Sequence, residues 1–317
     1  MNTEAIKEYD FDLKKQSVQD DLPKELLFRD RWLHLNYQHQ SNKEHLEEFE
    51  LDSVIIDALL SEETRPRAQV FDDGVLLSLR GINLAKDSNP EDMVSIRIYF
   101  RRDFIISTGR RRLLSLEEIA HAIHNKTGPK TPSSWLIDLI VNLNDKIADT
   151  VHFIEESLSC LEELVIDSKH STNQSELANL RRQIIAIRRY LGPQRDALMT
   201  LIGDKNKFIS AEQKIEIREA LNHLQLYIEE LDLCKERANV LQEEINVNLG
   251  QTMNNRMYVL SIVAAIFLPL GFLTGLLGIN VGGMPGADNP DAFYLVTGFL
   301  CVITALLTLI LRKNRWL

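Results

Sequence analysis

The chain has 317 residues, of which 26% are charged and 44% hydrophobic, and it carries a formal net charge of −10 at pH 7. This acidic balance argues against nucleic acid as a partner, because proteins that bind nucleic acids cluster Lys and Arg on one face. The sequence also has no phosphate-binding glycine loop, no nucleophile elbow and no full set of metal ligands, so we expect neither an enzyme nor a covalently bound cofactor.

Residues 1–131 are predicted to form an α/β domain. Alternation over residues 32–37 indicates a strand, and hairpins are predicted around Asp73-Gly74 and around residues 101–103. Helices are expected over residues 44–60 and 116–125. His121 and His124 share one face of the second helix. They are candidates for a Zn²⁺ site, although such a site needs three or four ligands and such pairs are more often solvated.

Residues 132–256 are predicted to be helical. Apolar residues three or four positions apart continue from Leu136 to Val165, which indicates a long helix with its N-cap at Ser133 or Ser134. A second helix over residues 175–202 is expected to be kinked or interrupted at Gly192-Pro193. A third is predicted to run from Ser210 to residue 277, a stalk about 100 Å long. Its apolar seam comprises Ile217, Leu221, Leu224, Ile228, Leu231, Cys234, Ala238, Leu241 and Ile245.

Residues 257–317 are predicted to form a membrane domain. Residues 257–277 and 292–311 contain no charged side chain, and each stretch reaches the ~20 residues that a helix needs to cross a bilayer. Residues 278–291 are rich in Gly and Pro and should form a tight outer loop. Arg256 precedes the first span, and Arg312 and Lys313 open the tail over residues 312–317, so we expect both termini in the cytoplasm. The absence of an apolar export signal in the first 15 residues agrees with this orientation.

Two spans cannot enclose a water-filled path, so a pore would need several copies of the chain. Gly271 and Gly275 form a small-residue face that permits close helix packing. Asn280 follows the first span, where a ring of amide oxygens could meet a hydrated cation. Asp288 and Asp291 would raise the cation concentration at that mouth. A simple membrane anchor or a hairpin dimer is the alternative.

The tripeptide Gly278-Ile279-Asn280 resembles the hallmark Gly-Met-Asn motif of the CorA family of divalent-cation transporters. The Ile variant, together with residues 32–37, 63–67, 188–190, 193–196 and 313–317, resembles the zinc-transporting ZntB branch. The resemblance covers nearly the whole chain. It implies a homopentameric funnel in the inner membrane of a bacterium: an α+β cytoplasmic domain, a long helical stalk and two C-terminal transmembrane helices.

The resemblance also implies a pore lined by the first span, with the second span facing lipid. Asn280 becomes the outer selectivity residue. The other candidates for pore lining are Asn254, Met257, Leu260, Leu268, Gly271 and Gly275. Asn254 would form an inner polar ring, although solvation of a helix end also explains polar residues in this part of the stalk.

The residues alone leave the identity of the ion open. Zn²⁺ prefers His, Cys and carboxylate ligands, whereas amide oxygen and water suit Mg²⁺, and neither span contains a histidine. We therefore expect a hydrated dication to pass, with Zn²⁺ favoured by the resemblance to the ZntB branch. The alternatives are a channel for Mg²⁺, Co²⁺ or Ni²⁺, or a two-span membrane sensor that passes no ion.

Overall fold

The computed structural model describes residues 8–18, 30–49, 51–62, 65–86, 88–167, 174–203, 205–279 and 289–313. The strands found there are β1 (Tyr9–Asp12), β2 (Ser17–Val18), β3 (Arg31–Asn36), β4 (Arg67–Val70), β5 (Val75–Gly81), β6 (Val94–Phe100) and β7 (Phe104–Gly109). The helices are α1 (Gln40–Glu48), α2 (Ser53–Leu60), α3 (Leu114–His124), α4 (Pro132–Asp167), α5 (Gln174–Ile202), α6 (Ala211–Leu277) and α7 (Ala292–Lys313). The chain divides into a first unit, Met1–Gln242, and a second unit, Glu243–Leu317.

The first unit is built on one mixed sheet with the strand order β2-β1-β3-β7-β6-β5-β4. β3 and β7 pair in parallel, and the other neighbouring strands pair antiparallel. The two predicted hairpins are confirmed as β4–β5 and β6–β7. Gly74 is required in the first turn, because a Cβ there would lie 2.8 Å from the Tyr99 ring and 2.9 Å from the Phe100 carbonyl oxygen. Strands β1 and β2 were not predicted.

Helices cover both faces of the sheet. On one face α1 and α2 pack over Leu33, Leu35 and Ile106. On the other face the N-terminal turn of α4 brings Trp135 to 4.9 Å from Trp32, measured between ring centroids. The helix predicted over residues 44–60 is in fact two helices. Asp52 separates them, because its Oδ1 accepts a hydrogen bond of 2.9 Å from the Val54 amide and caps α2.

Capping side chains fix the starts of the long helices. The N-cap of α4 is Thr131, not Ser133 or Ser134 as predicted: the Ser134 amide donates to Thr131 Oγ1 (3.2 Å), and the Thr131 amide donates to Ser134 Oγ (3.1 Å). Ser210 and Gln213 cap α6 in the same reciprocal way. A kink or an interruption was predicted at Gly192-Pro193; helix α5 continues through Pro193, so the interruption does not occur.

The predicted apolar seams are confirmed. The seam of α4 from Leu136 to Val165 is buried, and so is the seam of α6 from Ile217 to Leu241. Arg237 of α6 joins the two helices: its Nη2 lies 2.6 Å from Glu162 Oε2 and 2.9 Å from Ser159 Oγ, both on α4. The bundle therefore combines buried apolar seams with polar contacts between α4 and α6.

His34 of β3 is a buried titratable group inside the sheet. Its Nδ1 lies 2.8 Å from Ser107 Oγ on β7, and its ring lies beside Tyr9 and Trp32. Burial lowers the pKa of the imidazole to about 4, although the charge of Glu8 and the hydrogen bond with Ser107 act in the opposite direction. At neutral pH this histidine is therefore uncharged in the folded protein.

We expect the first unit to lose about 2–3 kcal/mol of unfolding free energy through His34 as the pH falls from 7 to 4.5. In the unfolded chain the imidazole takes up a proton near pH 6.5, whereas the buried ring resists protonation down to about pH 4. Urea unfolding of the protein and of His34→Gln, followed by tryptophan fluorescence at both pH values, measures the difference. The variant should lack this part of the pH dependence, and an equal slope for both proteins would contradict the prediction.

Candidate ion pathway

The second unit contains two exposed apolar helices. The C-terminal part of α6 and the whole of α7 each contain a stretch long and apolar enough to cross a membrane, and no residue in either stretch is buried. An apolar helix in the core of a soluble protein would be covered by its own chain. The two helices therefore fit a membrane protein.

The serine and threonine hydroxyls of the two spans are satisfied by their own helices. Ser261 Oγ donates to the Met257 carbonyl oxygen (2.9 Å), and Thr274 Oγ1 donates to the Leu270 carbonyl oxygen (2.9 Å). The threonines of α7 make the same bond to the carbonyl four residues earlier; they are Thr297, Thr304 and Thr308. Such bonds hide polar atoms from lipid. They also mean that these hydroxyls already have an acceptor inside the spans.

Most of the predicted lining residues of α6 fall on one stripe, here called the pore stripe. Its members are Met257, Ser261, Ala264, Leu268, Gly271 and Gly275. Their spacing of four and three residues keeps them on one face, because a helix turns about 100° per residue. Met257 is 60% and Leu268 72% exposed in the single chain, so the chain itself leaves this face uncovered. Ser261 and Ala264 were missed by the sequence analysis, although the same spacing would have identified them.

Asn254 and Leu260 occupy the two edges of the pore stripe. Each lies three residues from Met257, one before it and one after it, and is therefore rotated by about 60° in opposite directions. Both are exposed. Because about 120° separates them, they cannot both point straight at a common axis.

Glycines have two different roles along α6. A Cβ at Gly271 or Gly275 would meet nothing within 4 Å, so the chain itself does not require glycine there. Gly278 instead ends the helix: its amide donates to the carbonyl oxygens of Thr274 (2.9 Å) and Gly275 (3.2 Å). Ile279 follows and is 49% exposed. The vacant space at the first two glycines is available to another helix.

The predicted outer mouth is described only in part, because Asn280 and Asp288 lie outside the described residues. Asp291 immediately precedes α7, and its carbonyl oxygen accepts the amide of Leu295 (3.1 Å). Its own amide donates to Asn289 Oδ1 (2.9 Å). A carboxylate at this position is favoured by the positive end of the helix dipole, so Asp291 stabilises the start of α7 in addition to its predicted effect on cations.

The two histidines of α3 have no third metal ligand beside them in the described part of the chain. His121 and His124 are exposed, and His121 Nδ1 lies 3.1 Å from Asn125 Nδ2. The neighbouring Glu117 is held by Arg112, with 2.6 Å between Oε1 and Nε. No group of three or more His, Cys, Asp or Glu side chains that could hold a metal occurs within the described ranges. Among the residues that the structure describes, the two histidines thus lack the further ligands that Zn²⁺ needs.

Comparison with known sequences gives consistent matches over most of the chain. The family model described as CorA-like Mg²⁺ transporter protein matches residues 30–313. The chain is 32% identical over 289 residues to the zinc transport protein ZntB of Yersinia enterocolitica, covering 90% of this chain and 88% of that protein. It is 34% identical over 288 residues to the protein of the same name from Pectobacterium carotovorum, with the same coverage.

Solved structures agree with the fold. The full-length CmaX protein superposes with a TM-score of 0.81 at 33% identity and covers 98% of both chains. The cytoplasmic domain of ZntB from Vibrio parahaemolyticus gives 0.70 at 27% identity, over 78% of this chain and 99% of that one. The CorA magnesium transporter of Methanocaldococcus jannaschii gives 0.80 over 95% of both chains but only 17% identity, a likeness of fold alone. The predicted fold class, an α+β domain followed by a long helix and two C-terminal apolar helices, is confirmed.

Proposed function

Because the chain belongs to the CorA family of divalent metal ion transporters, we propose that it carries Zn²⁺ into the cytoplasm through a homopentameric pore lined by the pore stripe of α6. The observation that carries the proposal is that this stripe is uncharged, contains two glycines and is left uncovered by its own chain. Zn²⁺ is chosen over Mg²⁺ because the relatives at 32–34% identity are named as zinc transport proteins.

Several copies are needed because two helices cannot enclose an aqueous path. Gly271 and Gly275 let the first spans of neighbouring copies approach closely around an axis, and α7 then faces the lipid. Arg256, Arg312 and Lys313 lie at the cytoplasmic ends of the two spans, so the tripeptide at residues 278–280 faces the periplasm. The assembly is a multi-pass protein of the inner membrane with both termini in the cytoplasm.

The ion keeps most of its water shell in this pore. The pore stripe offers no carboxylate, imidazole or thiol that could replace water around Zn²⁺. Asn280 contacts the hydrated ion through its amide oxygen, a neutral dipole that can bind a dication and release it. Asp288 and Asp291 raise the local concentration of cations outside.

The membrane potential drives entry. A charge gains about 2.3 kcal/mol per 100 mV of inside-negative potential, so a dication gains roughly 4.6 kcal/mol. A proton relay would need titratable groups within the membrane, and the sequence has no Asp, Glu, His, Lys or Arg between residues 257 and 287. The potential therefore suffices to drive uptake, and the carboxylates outside the spans, such as Asp288 and Asp291, are the remaining candidates for proton coupling.

Mg²⁺ transport is the second candidate function, favoured by the oxygen-only chemistry of Asn280. Amide oxygen and water are ligands that Mg²⁺ prefers, and a hydrated ion leaves few ways to separate the two metals. Transport measurements with each metal alone, and with both together, distinguish the two functions.

The proposal is tested by reconstituting the purified protein in vesicles that contain a metal-sensitive dye. We expect Zn²⁺ to enter under an inside-negative potential without a pH gradient. Asn280→Ala should reduce the selectivity for dications over Na⁺ by about tenfold, since each unit of 1.4 kcal/mol in ion binding corresponds to that factor. Gln251→Ala, an exposed amide on α6 outside the spans, is the matched control. Absence of metal flux, or unchanged selectivity in Asn280→Ala, would contradict the proposal.

A further inference from the structure

Two neighbouring helices of the first unit carry opposite charge. In α4 eight carboxylates occur with a single lysine, whereas α5 has five arginines and only two carboxylates. Charged residues on a helix surface are ordinarily solvated. In a chain of net charge −10, however, an arginine-rich helix is also complementary to the acidic surfaces of a second copy of the same chain.

Two arginines of α5 have no carboxylate partner in their own chain. Arg188 pairs with an aspartate of α6, with 2.9 Å between Nε and Oδ1. Arg182 instead donates to the amide oxygen of Asn179, and the Arg189 guanidinium lies 5.8 Å from the centroid of the Tyr190 ring. Both arginines are exposed, and neither forms an ion pair with the described residues. Their positive charges are therefore not neutralised within the chain.

The two unpaired arginines lie on either side of an exposed isoleucine. Ile185 is 55% exposed, and it follows Arg182 by three residues and precedes Arg189 by four. This spacing places the three side chains on one side of the helix, here called the basic face. The opposite side of α5 is the buried one and includes Leu180, Ile184, Ile187 and Leu191.

Helix α4 presents a matching set of residues, here called the acidic face. Glu156, Cys160 and Glu163 are all exposed and are spaced by four and three residues. Glu156 Oε1 lies 3.3 Å from His152 Nε2, and Glu163 forms no ion pair with the described residues. Phe153, seven residues before Cys160, is 59% exposed. An uncharged centre thus lies between two carboxylates, as it lies between two arginines on α5.

Contacts with α6 show the direction of α4. Asn144 Nδ2 donates to the Ala220 carbonyl oxygen (2.6 Å). Further along both helices, Glu162 Oε1 lies 3.0 Å from Arg237 Nε. The contacts advance together, so α4 and α6 run parallel.

Helix α5 runs in the opposite direction. Arg188 Nε lies 2.9 Å from Asp232 Oδ1, and Arg195 Nη1, later on α5, lies 3.1 Å from Gln225 Oε1, earlier on α6. Helix α5 is therefore antiparallel to α6 and, since α4 is parallel to α6, antiparallel to α4 as well.

The two faces lie at the same height along the bundle. Glu162 of α4 is level with residue 237 of α6, and Arg188 is level with residue 232, about 7.5 Å away along the axis. The same distance back along α5 leads from Arg188 to residue 183, within the basic face. Rotation about an axis along the bundle preserves height and direction. In a ring of copies, the basic face of one copy can therefore meet the acidic face of the next in the antiparallel direction.

We propose that the basic face of α5 docks against the acidic face of α4 in a neighbouring copy of the chain. In the antiparallel direction both faces have the same spacing of three and then four residues, so three pairs align. The pairs are Arg182 with Glu163, Ile185 with Cys160 and Arg189 with Glu156. The inference rests on the proposed assembly of several copies, and it names the surfaces that join them in the first unit.

The two faces are different surfaces of the chain, which determines the kind of assembly. Such a heterologous contact passes from copy to copy until a ring closes, whereas a two-fold dimer pairs one surface with itself. Exposed ion pairs add little affinity, but like charges in contact repel each other. The arginine–glutamate pairs therefore select the register of the contact, and Ile185 is removed from water at its centre.

A cross-link to the native Cys160 tests the contact. Ile185→Cys places a second thiol opposite it, and a disulfide needs Cα atoms about 4.4–6.8 Å apart. We expect oxidation of this full-length variant in detergent to give linked chains on a non-reducing gel, up to the size of the closed ring. Ile185→Cys combined with Cys160→Ser should link no more chains than the parent protein. The same holds for Ile215→Cys, an isoleucine of α6 that is 59% exposed and outside both faces.

Charge reversal tests the ion pairs. In the Ile185→Cys background, Arg189→Glu should slow cross-linking about tenfold, because it brings two carboxylates together. Adding Glu156→Arg should restore the rate, which a variant that merely misfolds would not show. Arg110→Glu reverses an exposed arginine directly after β7 and should leave the rate unchanged.

The mass of the particle in detergent separates this inference from the proposed function. A particle of several copies in which Ile185→Cys links no chains, or forms a disulfide only within its own chain, would overturn the docking of the two faces and leave the proposed pore intact. Cross-linking of Arg189→Glu at the rate of its background would likewise overturn the pairing. A monomeric parent protein would contradict both the docking and the pore.

Discussion

Replacing Gly275 by isoleucine should strongly reduce metal uptake while leaving the first unit folded. A Cβ at this position meets nothing within 4 Å in the single chain, so the larger side chain costs the isolated subunit little. In a ring of first spans the same side chain would hold neighbouring helices apart or fill the pore. We expect dye-monitored uptake in vesicles to fall by about a hundredfold, equivalent to roughly 2.7 kcal/mol.

Gly298→Ile is the matched control for this prediction. Gly298 of α7 likewise has nothing within 4 Å of its Cβ position, but α7 is proposed to face the lipid. An apolar side chain should be tolerated there, with uptake close to that of the parent protein. The mass of each variant in detergent shows whether the assembly survives. Equal uptake by the Gly275 and Gly298 variants would contradict the assignment of α6 to the pore.

The second large effect is expected in the helix bundle of the first unit. Leu224 on the seam of α6 is completely buried. Leu224→Ala should lower the unfolding free energy by about 2–5 kcal/mol, because it removes buried methyl groups and leaves a cavity. Urea unfolding of the detergent-solubilised protein, followed by circular dichroism, measures the loss.

Leu226 provides the control two residues along the same helix. It is 49% exposed, and Leu226→Ala should change the unfolding free energy by less than about 0.5 kcal/mol. The two substitutions remove the same atoms and differ only in burial. A similar loss in both variants would mean that helix propensity, rather than the seam, determines the stability of this bundle.

The long helices could be predicted because apolar residues recur every three or four positions over many turns, which gives a strong signal in the sequence. The seams of α4 and α6 were identified residue by residue from spacing alone, and the two hairpins followed from short turns flanked by apolar alternation. Strands β1 and β2 were missed because four and two residues are too few to show a period. Asp52 was overlooked as the cap that divides α1 from α2, since the apolar pattern continues on both sides of it.

The sequence predicted which segments form the candidate pathway better than it predicted how their residues are placed around the helix. Two uncharged stretches and the tripeptide at residues 278–280 pointed to a membrane pore. The geometry of α6 assigns Ser261 and Ala264 to the pore stripe as well, and it places Asn254 and Leu260 at the edges of the stripe.

The parallel pairing of β3 with β7 has a consequence for the order of events during synthesis. This contact needs residues up to Gly109, and Met257, where the first apolar segment begins, is synthesised 148 residues after Gly109. At ~5–20 residues per second, that interval lasts roughly 7–30 seconds. The sheet can thus fold well before the first apolar segment is available for insertion into the membrane.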